Sequence, residues 1–198
     1  MACHAILSIK GGDIPMEIAQ AQKDVRQTFL GGFAGQFVSG TIWLFSAIAC
    51  TWHSLRWGEM IAIYGGFFIF PLTQLMLRAM GHAYSLPKGH PMNGLGMQIA
   101  FTVGLTLPVV LAAAIAHPAW FYPALMVTVG AHYLPFVYLY GMWQFAALSA
   151  LLASAGMLLG LYCPGHPSSG AWFTSIVLFA FALVGRHVAH AEAPPATR

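Results

Sequence analysis

The sequence predicts an all-α, polytopic bundle of about six transmembrane helices, and three observations carry that prediction. Of 198 residues, 59% are hydrophobic and only 7% are charged, against roughly 25% charged in an ordinary soluble domain. Six apolar stretches each approach the roughly 20 residues that cross a bilayer core. Nearly all of the basic residues fall on one side of a six-span arrangement. A water-soluble fold has neither the interior to hide this much apolar surface nor the charge to coat its exterior. In hydrocarbon the backbone must satisfy its own polar groups, which leaves helices or closed barrels. Barrel strands would alternate polar and apolar residues over about ten positions. Here the apolar runs are unbroken, so helices follow.

The expected spans are residues 29–50, 57–79, 95–116, 118–139, 142–162 and 170–188. Turn-forming punctuation separates them: residues 53–56, a Gly- and Pro-containing stretch over 81–94, His117-Pro118, Gly141, and residues 164–169. The break at Gly141 is the shortest. A single helix over residues 118–162 would be far too long for a bilayer, so a turn is required there. Ahead of the first span, residues 14–28 read as an amphipathic helix lying on the inner surface. Asp13 and Pro15 mark its start, and Ile14, Ile18, Ala21, Val25 and Phe29 form its apolar stripe. The chain thus divides into a cytoplasmic N-terminal segment (1–28), a helical bundle (29–190) and an Ala- and Pro-rich tail expected to be disordered (191–198).

Lys10, Lys23, Arg26, Arg78, Lys88, Arg186 and Arg198 all fall on one side of this arrangement, and only Arg56 falls on the other. The positive-inside rule then puts both termini in the cytoplasm, with a bacterial inner membrane as the expected location. Trp52, Trp57, Trp120, Tyr122, Tyr162 and Trp172 mark the outer interface; Tyr84, Tyr138, Tyr140 and Trp143 mark the inner one. Eight Lys and Arg without a cluster make no nucleic-acid surface. The partners this leaves are the lipid bilayer, a small solute, other membrane subunits or a second copy of the chain.

His132 is the most informative residue. It lies within the fourth span, slightly inward of its middle, where an ionisable group is costly and usually faces the bundle interior. Pro135 removes an amide hydrogen and displaces the carbonyl of Ala131, placing a freed acceptor beside the imidazole. His132, Tyr133 and Pro135, with Gln74 from the second span, form the candidate ligand-binding site. The plainer reading is a neutral histidine that ties two helices together through a Tyr or a carbonyl. Gln36, Thr41, Gln98, Thr102, Thr106, Gln144 and Ser149 are expected to hydrogen-bond between helices, and Arg78 to reach the inner headgroups. The loop containing His82, Tyr84, Lys88 and His90 lacks a carboxylate or cysteine partner, so a solvated connection is favoured over a metal or lipid-phosphate site. No metal and no cofactor is expected: no Asp lies in any span, and a bis-histidine haem needs two deep histidines where only His132 is deep. Cys50 and Cys163 each end an inside-to-outside span and so share the outer face. A disulfide between them requires their Cα atoms to come within about 7 Å. No catalytic residue can be assigned.

Gly66 and Pro71 in the second span are spaced like Gly130 and Pro135 in the fourth, which chance alone explains well because Gly and Pro are common in membrane helices. A broader likeness is carried by Gly31-Gly32, Ser39-Gly40, Trp43, Gly65-Gly66, Pro71, Pro87-Lys88-Gly89 and the run from His132-Tyr133 to Tyr140-Gly141. Through these the chain resembles a domain-of-unknown-function family of small bacterial integral membrane proteins, over about residues 27–159. That resemblance implies the architecture and brings no activity. Three readings stay open: small-solute binding or transport through a cavity near His132, a non-catalytic subunit of a larger membrane assembly, or a membrane enzyme acting on a lipid.

Overall fold

A computed structural model describes residues 17–191. The expected helix start at Asp13 and Pro15, and the tail from residue 192 onward, lie outside the described residues. Those described form eight α-helices and two short 3₁₀ turns. The helices are α1 (Ile18–Thr28), α2 (Phe33–Trp52), α3 (Leu55–Ala79), α4 (Met92–Ala116), α5 (Phe121–Tyr133), α6 (Phe136–Tyr140), α7 (Gln144–Tyr162) and α8 (Ser169–Ala191). The 3₁₀ turns are Leu30–Gly32, ahead of α2, and Pro118–Trp120, ahead of α5. Five of the elements are long and apolar enough to cross a membrane. The sixth crossing is split: α5 and α6 together run over 20 residues at positions 121–140, a path of about 30 Å.

Contacts at the two ends of the bundle fix the alternation. At one end Trp52 of α2 meets Trp172 of α8 with ring centroids 6.0 Å apart, and Trp172 Nε1 donates to Thr51 Oγ1 at 3.0 Å. At the other, Arg26 of α1 donates to the carbonyl of Tyr140 at 2.6 Å, and the backbones of Gly31 and Gly185 touch. The described chain therefore begins and finishes at the same end, after six traverses.

Packing is uneven. α2 sits between α3 and α8, α5 packs against α7, and α4 leans on α5. The buried interior is made of Trp43, Phe121, Tyr122, Met126, Leu148, Leu152 and Leu178. α5 and α7 approach closely because Gly130 lies where a side chain would strike the Ser149 carbonyl oxygen, and Gly156 where one would strike that of Pro123. Small residues at crossings are how helices pack when hydrocarbon supplies no hydrophobic drive between them. α3 and α4, by contrast, turn almost their whole apolar surface outward, including Phe67, Phe68 and Phe70 on α3 and Leu105 and Ile115 on α4.

The first span begins later than the hydrophobic pattern alone indicates. Leu30, Gly31 and Gly32 take φ values of 50°, 62° and 85°, a left-handed turn between the surface helix and the first crossing. Two glycines make this affordable, since an L side chain is strained there. Gly31 also has no room for one, because a Cβ would collide with the Gly185 carbonyl oxygen. Gly31→Ala is expected to destabilise by about 1–3 kcal/mol, a fall in Tm of roughly 2–10 °C at this chain length. Gly66, with nothing within 4 Å of a built Cβ, serves as the control. Gly66→Ala should stay within about 0.5 kcal/mol of wild type. Thermal unfolding in detergent measures both, and equal effects from the two substitutions would refute the assigned role of Gly31.

Candidate functional site

The split crossing is where polar chemistry reaches the interior. Pro135 has no amide hydrogen to offer Ala131, so the Ala131 carbonyl accepts instead from Leu134 N at 3.2 Å, in a tightened turn. The acceptor expected beside His132 is thus already taken. The imidazole finds a different partner: its Nδ1 lies 2.7 Å from Thr102 Oγ1 of α4. Thr102 has one hydroxyl proton, and the Ile99 carbonyl accepts it at 2.7 Å. In this arrangement the ring donates from Nδ1 and keeps Nε2 as an acceptor. One turn from the break, then, a hydrogen bond joins α5 to α4.

Below this bond lies a block of aromatic rings. His132 contacts Tyr133 and Phe136 at centroid distances of 5.6 and 5.1 Å, and Phe136 stacks on Tyr140 at 5.7 Å with 7° between the planes. Phe145 of α7 closes the group against Tyr133, Phe136 and Tyr140. Tyr133, next to His132 in the chain, points elsewhere on the helix; its ring is buried and its hydroxyl lies beside Ser39 of α2.

Phe145 is shared with a second feature. Together with Gln36, Gln144, Phe181, Met142 and the Gly31–Gly185 contact, it borders a shallow crevice nowhere wide enough to centre a water molecule. The side-chain carbonyl oxygens of Gln36 and Gln144 are buried and have no hydrogen-bond partner. Both glutamines were expected to bridge helices, and neither carbonyl does. Unpaired buried acceptors are rare and costly.

Thr174 Oγ1 and His90 Nε2 are likewise buried without a hydrogen-bond partner, whereas other polar groups bridge elements. Ser46 Oγ donates to the Gly58 carbonyl at 2.8 Å and lies 2.7 Å from the Tyr122 hydroxyl, tying α2, α3 and α5 toward the end that holds Trp52 and Trp172. At the opposite end, Gln22 and Arg26 of α1 donate to the carbonyls of Tyr138 and Tyr140, each at 2.6 Å, and so cap the end of α6. His90 is buried rather than solvated. Its Nδ1 accepts from Met92 N at 3.2 Å, and its Nε2 faces Asp24 Oδ2 of α1 at 3.6 Å. The sequence signals the histidine but not its carboxylate partner, which lies 66 residues earlier and on another helix. Arg78 stacks over the Tyr84 ring at 4.3 Å. Among the described residues no three His, Cys, Asp or Glu side chains gather where they could hold a metal ion.

The remaining sequence candidates are dispersed. Gln74 is half-buried on α3, which packs chiefly on α2, whereas His132 reaches α4. Pro135 is half-buried at the break itself. Cys50 and Cys163 are both free thiols. Cys50 lies beside Gly58 on the α2–α3 contact, and Cys163 is exposed at the end of α7, which packs on α5 and α8. The Gly–Pro likeness also ends in different structures, since Pro71 lies inside a continuous α3 and Pro135 interrupts its crossing.

Comparison with known proteins gives a single family. No curated protein and no solved structure matches the chain. A family model described as a family of unknown function, DUF7010, matches residues 18–186, from the surface helix to the last turns of α8. The chain belongs to that family of unknown function.

Proposed function

We propose that this membrane protein binds a small solute in the inner half of its bundle, close to His132, and moves it across the bilayer. One observation carries the reading: the only split crossing among the described residues tightens at Leu134–Pro135, two residues beyond His132, whose ring bonds to the neighbouring helix. Interrupted helices with polar groups near the break are how many secondary transporters build their sites. The basic residues Lys23, Arg26, Arg78, Lys88 and Arg186 share the end where the described chain starts and finishes, which orients that end to the cytoplasm of a bacterial cell. A reporter fused after Arg198 should be active only as a cytoplasmic protein; periplasmic activity would reverse the orientation.

The solute reading is tested by thermal unfolding of the purified protein against a panel of small metabolites. A genuine ligand at a hundred times its Kd stabilises by about 2.7 kcal/mol, a rise in Tm of roughly 5–10 °C. His132→Phe keeps the ring contacts to Tyr133 and Phe136 and removes the bond to Thr102. The rise should vanish in this variant. A rise of equal size in both proteins places the ligand elsewhere.

A second reading, a subunit of a larger assembly or a homo-oligomer, is favoured by α4. Gly94 and Gly104 have nothing within 4 Å of a built Cβ, and Gln98 lies exposed on the same helix. Small residues and an exposed amide are what helix–helix contacts in membranes use. Native mass measurement in a mild detergent decides it: a mass above one chain supports the assembly, and a single-chain mass at all concentrations removes it.

A further inference from the structure

One imidazole joins the surface helix to the start of α4. His90 lies in the connection between α3 and α4, where the chain makes a tight turn. Its amide donates to the Pro87 carbonyl at 3.2 Å, Asn93 Nδ2 donates to the same carbonyl at 2.9 Å, and Gly89 takes a φ of 86°. His90 itself is buried, and its Nδ1 accepts from Met92 N, the first amide of α4, at 3.2 Å. Met92 is buried as well. First-turn amides have no acceptor within their own helix, so the ring supplies what the helix cannot.

The other ring nitrogen faces α1. Nε2 lies 3.6 Å from Asp24 Oδ2, too far for a hydrogen bond and within reach of an ion pair. Gln20, one turn earlier on α1, donates to Asp24 Oδ1 at 2.8 Å and so steers the carboxylate. A ring that accepts at Nδ1 carries its single proton at Nε2 and is neutral. A second proton can enter only at Nδ1, where it meets the Met92 N–H. Donor then faces donor in a buried place, and the bond to Met92 cannot survive. The same proton puts a positive charge beside Asp24, an attraction that the neutral ring lacks.

The ionisable groups on the surrounding elements are few. α1 carries Lys23, Asp24 and Arg26, with Glu17 at its start, and Arg26 donates to the Tyr140 carbonyl. α4 has no ionisable side chain, and α6, which touches both α1 and α4, has only Tyr138 and Tyr140. In the connection itself His82, Tyr84 and Lys88 are exposed. Among the described residues Asp24 alone makes an ion-pair contact with the ring.

We propose that His90 is a proton-operated latch between α1 and α4. Neutral, it caps the first turn of α4; protonated, it lets go of Met92 and pairs with Asp24. The bond to Met92 is therefore present at high pH and lost as pH falls, whereas the hold on α1 tightens. The crossing on which the latch acts is the one that carries Thr102, the partner of His132. The latch does not depend on the solute-binding reading.

Hydrogen exchange of the purified full-length protein tests this between about pH 8 and pH 5, the range over which imidazoles generally change charge. It is read at the Met92 amide by mass spectrometry with backbone fragmentation, after correction for the intrinsic pH dependence of exchange. In wild type the protection of Met92 should fall by about tenfold across that range, the worth of one buried hydrogen bond. The amide of Val103, further along α4, should not change. Neither His90→Asn, whose side-chain carbonyl can still accept from Met92, nor His90→Ala titrates, so protection in both should be independent of pH. Asp24→Asn should lose protection at lower pH than wild type, by about one pH unit, because the carboxylate that draws the protonated ring is gone. A wild-type profile without pH dependence overturns the proposal. So does a wild-type profile retained in His90→Ala, which assigns the dependence to another group. Identical profiles for Asp24→Asn and wild type remove the carboxylate from the latch and overturn it too. A fall at Val103 equal to that at Met92 is general unfolding, and the proposal fails.

Discussion

Where two backbones touch, neither can carry a side chain, and the contact between Gly31 and Gly185 sets the geometry of the whole inner end. It brings the beginning of α2 onto the end of α8, and α2 and α8 are among the most extensively packed pairs in the bundle. The left-handed turn at residues 30–32 redirects the chain from the surface helix into the first crossing. That turn in turn decides where Gln36 points, because the residue lies one helical turn further along. Buried Ser175 bonds the Gly40 carbonyl at 2.9 Å higher in the same seam, so the α2–α8 pair is held by small residues below and a side-chain hydrogen bond above.

Polar groups inside the bundle fall into two kinds. Ser46, Tyr122 and Thr102 are paired across helices or with their own backbone, and each bond fixes the relative position of two crossings. Gln36 and Gln144 are not paired in this way. In a solvent without hydrogen bonds to offer, a buried acceptor that lacks a donor is destabilising. The unpaired amides therefore stand out more than the histidine does, although the histidine is the more conspicuous residue in the sequence.

The architecture was legible because its causes are local. Run length, turn-forming residues and the placement of eight basic residues are read along the chain, and they specify helices, connections and their alternation. Pro135 announced a disturbance beside His132, though the tightened turn at Leu134 absorbed the freed carbonyl. Pairings between distant segments were not legible. Asp24 with His90, Thr102 with His132, and the absence of partners for two glutamines depend on which helices become neighbours. Gln74 illustrates the reason: nothing along the chain says that α3 packs on α2 and not on the crossing that carries His132. The left-handed turn ahead of α2 was hidden by the same cause, since Phe29 and Leu30 read as ordinary apolar residues of a span until Gly185 is known to lie against Gly31.

The cap that α1 places on α6 has a consequence for synthesis. Gln22 and Arg26 bond to carbonyls 116 and 114 residues further along the chain. At a translation rate of roughly 5–20 residues per second, these carbonyls are made about 6–20 s after the helix that caps them. Until His90 and α4 are made, α1 has only the lipid surface to hold its apolar face, which an amphipathic helix with Ala21 and Val25 on one side is suited to use. Its final position is reached only when the fourth crossing has been inserted.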